Sequence, residues 1–149
     1  MDAGTVIKWN NFPFPRIGDV IKPRWFVCLG SSGALSEPVF LYLYTTTTNI
    51  DDFEQGGKRE RHTHCHLRAS DTPFDEDCVL DIDVDMYTPT ESQVIKDLKN
   101  IEVKGRLNEQ YMRMIYNLII RSSKISKKIK IDIHDSFNKI GITGLKMPK

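Results

Sequence analysis

Apolar and acidic residues alternate from Cys78 to Met86, and this stretch is the strongest constraint on the fold. The apolar positions are Leu80, Ile82, Val84 and Met86, and the intervening acidic positions are Asp81, Asp83 and Asp85. Successive residues of a β-strand point to opposite faces of the sheet. The stretch therefore predicts a strand with one buried face and one acidic face.

Short apolar runs rich in β-branched and aromatic residues come before this stretch and predict further strands. They comprise 19–21 continuing into 25–29, then 38–44 and 61–67. The Gly30–Gly33 segment supplies a flexible turn, so we expect the first two runs to form a hairpin-like pair. The polar residues 49–59 predict a loop with a mobile tip.

A short helix is predicted directly after the acidic stretch. Thr88 is a candidate N-cap, with Pro89 at the first helical position and Glu91 at the third. The helix is expected to extend to about Lys99 and to bury three apolar residues, Val94, Ile95 and Leu98.

A second, longer helix follows a brief strand at 101–104, which Gly105 closes. Asn108 is its candidate N-cap. Apolar residues recur at helical spacing and predict that the helix packs on the sheet; they are Met112, Ile115, Leu118, Ile119 and Tyr111.

These elements predict a mainly β fold with α additions. With 149 residues, 40% of them hydrophobic, the chain is long enough for one domain with its own core. We expect a small, curled, mostly antiparallel sheet, a short inserted helix and a C-terminal helix packed on the sheet.

Composition excludes several protein classes. No apolar run approaches the roughly 18 to 20 residues of a membrane span, and 1–18 lack the features of a signal peptide, so we expect a soluble cytoplasmic protein. The three cysteines, Cys28, Cys65 and Cys78, include no CxxC pair and are too few for a disulfide framework. We interpret them as buried thiols.

Charge is distributed unequally along the chain. Residues 1–95 carry 8 Lys and Arg against 15 Asp and Glu, whereas 96–149 carry 13 against 5. The basic second half favours an anionic partner such as nucleic acid, although a dimer docking its own acidic region would show the same pattern. Lysines at 124–130 alternate loosely with isoleucines and indicate a terminal strand or a basic arm. These lysines could bind phosphates, or they could simply be solvated.

A basic and a hydroxyl-bearing segment are expected to meet at the ends of the hairpin. Lys22, Pro23 and Arg24 begin one strand, and 44–48, with four threonines, end the next. A guanidinium and threonine hydroxyls together suit a phosphodiester. Alternatively, Arg24 pairs with a surface carboxylate and the threonines only favour strand structure.

Two further groups of side chains could form a catalytic or metal-binding site. The aspartates 81, 83 and 85 could supply a general base, hold a divalent cation or form a solvated face that discourages edge pairing. His62, His64 and His66 alternate in the same way and could bind a metal ion or hydrogen bond to the aspartate strand.

The order of these features resembles the MazF, PemK and Kid family of toxin–antitoxin endoribonucleases. The resemblance covers about 17–122 and depends on five segments: Gly18-Asp19-Val20, the basic segment before 25–29, the threonine-rich strand end, 74–79 before the acidic strand, and 101–107 before the Asn108-capped helix. Residues 123–149 form a basic C-terminal extension of the same single domain, 1–149.

The resemblance implies a curled SH3-like barrel that dimerises and cleaves single-stranded RNA without a metal or cofactor. It implies attack of the 2′-hydroxyl on the adjacent phosphate, a cyclic 2′,3′-phosphate product, and a protein antitoxin that covers the site. By position, Arg24, Thr46 and Asp83 match catalytic residues, while Lys22, Thr45 and Arg68 are expected to contact RNA. The alternatives are an inactive barrel that binds protein or nucleic acid, and a metal-dependent enzyme that uses the histidine and aspartate strands.

Overall fold

The computed structural model describes residues 1–13 and 22–149. Within them, six strands form one sheet: β1 Thr5–Trp9, β2 Arg24–Ser31, β3 Leu41–Thr47, β4 His64–Leu67, β5 Cys78–Asp81 and β6 Ile101–Arg106. The α-helices are α1 Glu91–Lys96, α2 Glu109–Arg121 and α3 Lys127–Lys139. Short 3-10 turns occupy Ile50–Phe53, Ala69–Asp71 and Leu98–Asn100. No helix in the described ranges is long and apolar enough to cross a membrane.

The sheet is antiparallel throughout, with the strand order β4-β5-β3-β2-β1-β6. The expected antiparallel sheet with helices is confirmed, and so is the pairing of the first two predicted runs, as β2 and β3. The sheet is open, because β4 and β6 are its two edges. The predicted strand start at 19–21 and the 18–20 motif lie outside the described residues.

Strand β1 was not predicted, although it lies inside the sheet between β2 and β6. It contributes to the core on both faces: Val6 belongs to one core cluster, Ile7 and Trp9 belong to the other, and only Lys8 is half-buried. A strand covered on both faces lacks the alternation of apolar and polar residues that marks a half-exposed strand. Thr5–Trp9 therefore showed no strand pattern in the sequence.

The two core clusters lie on opposite faces of the sheet. The larger one contains the buried residues of α2 and α3, including Ile115 and Phe137. The smaller one is built around aromatic rings, with Phe12 5.1 Å from Trp9 and 5.0 Å from Phe26, and is completed by Val94 of α1. The three cysteines are free and buried, as expected.

The predicted strand Cys78–Met86 is wrong beyond Asp81, where β5 ends. The Asp81 carboxylate is only 2% exposed, and its Oδ1 accepts a hydrogen bond from the backbone N–H of Asp83 at 2.9 Å. An aspartate that bonds to the backbone two residues later favours a turn over continued strand pairing. The three aspartates therefore do not form one solvated face.

The short helix begins later than predicted. Thr90, not Thr88, is the N-cap of α1, and it forms a reciprocal capping box with Gln93. Of the three apolar residues expected to be buried, Val94 is buried, but Ile95 and Leu98 are 57% and 54% exposed. The longer helix α2 begins as predicted, with the Asn108 side chain accepting a hydrogen bond from the backbone of Tyr111.

The C-terminal extension forms a helix, not the strand or arm that its composition suggested. Ser126 caps α3, whose Ile133 and Phe137 are fully buried in the larger core cluster. Two of its lysines have structural partners: Lys130 Nζ donates to the carbonyl oxygens of Ile120 and Ser122 at the end of α2, and Lys128 pairs with Asp132. Lys130 therefore stabilises the C-terminal end of α2, and Lys128 forms an ion pair within α3.

Candidate functional site

A pocket of about 560 Å³ lies where β2 begins and β3 ends. It is lined by residues 22–24 and 45–48, the two segments that we expected to meet at the ends of the hairpin. Three cationic side chains line it, and these are Lys22, Arg24 and Arg59. Aromatic and apolar walls come from Trp25, Phe74, Val84 and Tyr87. The combination of cations, hydroxyls and aromatic rings suits an anionic ligand that carries a base.

Strand register distinguishes the two candidate threonines. Phe26 is directly opposite Thr45, and directly opposite residues project from the same face of a sheet. Arg24, two residues before Phe26, shares that face. Thr46 belongs to the other face, where it hydrogen bonds to the Cys78 thiol. Both threonines line the pocket, but Thr45 is the one on the same side as Arg24.

Asp83 and Arg68 do not line this pocket. Asp83 Oδ2 accepts a hydrogen bond from the backbone N–H of Thr63 at 3.1 Å, which holds the segment before β4. Arg68 is exposed at the end of β4, where its backbone N–H donates to Tyr111 Oη at 3.4 Å. The pocket thus brings Arg24, Thr46, Lys22 and Thr45 together and leaves out the predicted base.

The exposed carboxylates of the pocket belong to Asp75 and Glu76. Neither has a hydrogen bond or an ion pair within the part of the chain that the structure describes. They follow Phe74, whose buried ring lies 5.5 Å from that of Trp25. In the sequence these two residues were noted only within the segment before the acidic strand. Their lack of a local partner was not visible there.

Gly105 permits the close approach of the segment that carries these acids. A Cβ built on Gly105 would lie 2.9 Å from Cγ of Pro73, and its φ of +144° is unfavourable for other residues. Because this glycine lacks a side chain, Pro73 packs directly on β6. The following residues, Phe74 to Glu76, then reach the pocket wall.

A buried charged group adjoins the pocket at Asp81. Its Oδ2 lies 2.8 Å from His62 Nδ1 and 3.5 Å from Arg59 Nη1. The Arg59 guanidinium also lies over the Phe53 ring, 5.9 Å from the ring centroid. Asp81 and Arg59 both line the pocket, so part of the positive charge of Arg59 is balanced before any ligand binds.

The three histidines do not form one face of a strand. His62 precedes β4, whereas His64 and His66 belong to it, with their rings 5.1 Å apart. His64 also packs against Phe53 at 4.8 Å. Across 1–13 and 22–149, no three His, Cys, Asp or Glu side chains are grouped closely enough to hold a metal ion.

The thiol in the pocket wall is held in its neutral form. Burial raises the pKa of Cys78 to about 12, and the Thr46 hydrogen bond opposes this only in part. Tyr44, behind the pocket, also has a raised pKa because of burial and the nearby carboxylates of Asp81, Asp83 and Asp85. A neutral thiol is a poor nucleophile, so covalent chemistry at Cys78 is not favoured near pH 7.

Comparison with known proteins gives no family assignment: no family model matches the chain, and a search of curated proteins finds no match.

Proposed function

We propose that this protein is an endoribonuclease that cleaves single-stranded RNA without a metal ion. The observation that carries the proposal is the pocket, which is lined by Arg24, Lys22, threonine hydroxyls and the exposed carboxylates of Asp75 and Glu76. RNA supplies its own nucleophile, the 2′-hydroxyl. The protein must therefore hold the phosphate, accept one proton and supply another.

In the proposed reaction, Arg24 binds the scissile phosphate through two non-bridging oxygens. A guanidinium remains charged at any working pH and stabilises the added negative charge of the pentavalent transition state. The Thr45 hydroxyl, on the same face, donates to the same phosphate. Lys22, exposed at the pocket entrance, adds a second cation.

The base in this proposal is a carboxylate of the Asp75–Glu76 pair, in place of Asp83. It takes the proton of the 2′-hydroxyl as the 2′-oxygen bonds to phosphorus and the bond from phosphorus to the 5′-oxygen breaks. The departing 5′-oxygen takes up a proton from water, because the guanidinium groups of the pocket keep their protons. The products are a cyclic 2′,3′-phosphate and a 5′-hydroxyl, so the atoms balance without a metal or cofactor.

We further propose that the sheet curls as an SH3-like barrel and that the protein acts in the cytoplasm as a homodimer with a protein antitoxin. The register shifts between Val6 and Ile7 and between Cys28 and Gly30 support curling, because bulges increase the local bend and twist of a sheet. An antitoxin would need to cover a pocket with cationic and acidic walls. Size-exclusion chromatography with light scattering tests the dimer.

The decisive experiment incubates the purified protein with a mixed-sequence single-stranded RNA in excess EDTA. Cleavage with cyclic phosphate ends, identified by mass spectrometry, is expected for the wild type and for Arg61→Ala, whose exposed arginine does not line the pocket. Arg24→Ala should reduce the rate by at least about 100-fold, as expected for loss of a transition-state donor. RNA binding without cleavage would indicate an inactive binding module, and cleavage lost in EDTA would indicate a metal-dependent enzyme. Either result would reject the proposal.

A further inference from the structure

One wall of the pocket continues onto a second cationic surface. Trp25 lines the pocket, and the ammonium groups of Lys8 and Lys104 both lie over its ring, 5.9 and 5.6 Å from the centroid. We propose that Lys8, Trp25 and Lys104 form a second RNA-binding subsite, which holds a nucleotide flanking the one in the pocket. This inference rests on the proposed function, since it assigns that site a longer substrate.

Sheet pairing fixes the position of this subsite. Lys8 of β1 is directly opposite Trp25 of β2, so their side chains share one face of the sheet. Lys104 comes from β6, the next strand, at the bulge where the pairing shifts between Val6 and Ile7. Three neighbouring strands therefore each contribute one side chain to the same patch.

The patch extends the pocket in one direction. Trp25 lies between Arg24 and Phe26 in β2, so it projects from the face of the sheet opposite Arg24, and the pocket at the start of β2 is lined by both side chains. Neighbouring strands lie about 4.8 Å apart, so the path from Trp25 across β1 to β6 covers roughly 10 Å. Phe74 supports Trp25 from the pocket side, with the two ring centroids 5.5 Å apart. An RNA strand leaving the pocket along this path would pass over the half-buried indole and meet the two ammonium groups.

Local charge leaves the patch positive. Glu102 is the carboxylate beside it, and its Oε1 accepts from Lys104 Nζ at 3.1 Å, while Asn10 Nδ2 donates to its Oε2 at 2.8 Å. Lys8 has no ion pair within the residues that the structure describes. Two cations beside one anion attract a phosphate, and because Lys104 and Glu102 are exposed and Lys8 is half-buried, the attraction depends on salt concentration.

The combination of groups favours single-stranded nucleic acid over a simple anion. A base can stack on the indole ring, and the lysines that lie over that ring can move to the adjoining phosphate. Stacking does not require a particular base, so the subsite should add affinity and little sequence preference.

The test separates binding from cleavage by using a 12-nucleotide RNA that is 2′-O-methylated throughout and cannot be cleaved. Fluorescence anisotropy across a salt series compares wild type, Lys8→Ala/Lys104→Ala and the control Lys96→Ala/Lys99→Ala, whose lysines are exposed elsewhere. The first double variant should bind several-fold more weakly. Its slope of log affinity against log salt should fall by about 0.7 for each lysine removed. The control should keep the wild-type slope.

Two further measurements keep the outcome interpretable. RNA should quench Trp25 fluorescence in the wild type but cause little quenching in Trp25→Phe, where the remaining tryptophan, Trp9, is fully buried. Cleavage of the unmodified 12-nucleotide RNA by Lys8→Gln/Lys104→Gln should show a raised KM with little change in kcat, because the two lysines bind substrate away from the reacting atoms. An unchanged salt slope, or no binding of the methylated RNA, would overturn the subsite. The wild type could also fail to cleave RNA while the double variant shows the predicted change in salt slope. That result would support the RNA-binding subsite and reject the proposed nuclease activity.

Discussion

Asp81 Oδ2 lies 2.8 Å from His62 Nδ1, and this contact joins the end of β5 to the segment before β4. The same carboxylate accepts the Asp83 N–H through Oδ1 and faces Arg59 through Oδ2. Because Asp81 is almost fully buried, its carboxylate oxygens depend on these partners for the hydrogen bonds that water would otherwise supply. This residue holds the wall of the pocket, while the exposed acids Asp75 and Glu76 remain available for chemistry.

Asp81→Asn should destabilise the protein by about 1–3 kcal/mol, because the buried amide cannot satisfy the same donors as the carboxylate. Urea denaturation measures the free energy of unfolding. Asp51→Asn, at an exposed position, is the control and should change stability much less. Equal losses in the two variants would contradict the structural role given to Asp81.

Asp75→Asn/Glu76→Gln should separate RNA binding from cleavage. Removing two negative charges from the pocket wall should raise the affinity for methylated RNA a few-fold, since less repulsion opposes the phosphate. The same variant should lose most cleavage, because the base is gone. Glu54→Gln, exposed and outside the pocket, should match wild type in both assays. Retained cleavage in the double variant would remove these acids from the mechanism.

Strand register predicts different effects for two neighbouring threonines. Thr45→Val removes the hydroxyl on the face that carries Arg24 and should lower the cleavage rate about 10-fold or more. Thr46→Val removes the partner of the Cys78 thiol and should have a smaller effect on rate. Single-turnover cleavage of the same RNA gives both rates. The reverse order would indicate that Thr46 is the phosphate donor, as the resemblance implied.

Phe137→Ala should cost about 3–5 kcal/mol of stability, since it leaves a cavity in the core between α3 and the sheet. Ile95→Ala, at the exposed position that the sequence predicted to be buried, should stay within about 0.5 kcal/mol of wild type. Chemical denaturation of both variants provides the comparison. A small loss for Phe137→Ala would mean that 123–149 are peripheral to the domain.

Stability should fall at alkaline pH because of the buried thiols. Burial raises the pKa of Cys28 from an ordinary value of 9.0 to about 11, so the folded state keeps a proton that the unfolded state has lost. The stabilisation is complete below pH 9 and decreases as the pH rises towards 11, by up to about 1.4 kcal/mol per pH unit for this thiol. Urea midpoints between pH 8 and pH 10.5 test this, and Cys28→Ala should show a shallower decline.

Local sequence patterns predicted much of the sheet and the presence of the helices α1 and α2. The Asn108 cap and the apolar spacing of α2 were sufficient, because helix ends and faces depend on nearby residues. The strand prediction was wrong after Asp81 because the hydrogen bond from the Asp83 N–H to the Asp81 side chain ends the strand, although apolar and acidic residues continue to alternate. Isoleucines at 125–133 suited either a strand or a helix, and packing against β2 determined the helix.

The candidate site was predictable only in part. Antiparallel pairing of adjacent runs was enough to bring Arg24 and the threonines together. The resemblance matches Asp83 to a general-base carboxylate by its position after the Val79-Leu80 pair, on the polar side of a predicted strand, but β5 ends at Asp81 and Asp83 does not line the pocket. Arg59, Asp75 and Glu76 reach the pocket from loops, whose paths depend on distant contacts such as Pro73 on Gly105.

The central position of β1 also determines the order in which the protein can assemble. Its residues pair with β6, which lies more than ninety positions later, at Thr5 with Arg106 and Trp9 with Ile101. On the ribosome, β1 must wait until the chain has been synthesised to Arg106 before its second neighbour is available. A nascent chain that stops short of β6 would therefore lack both Lys104 and the packing of Pro73 on Gly105.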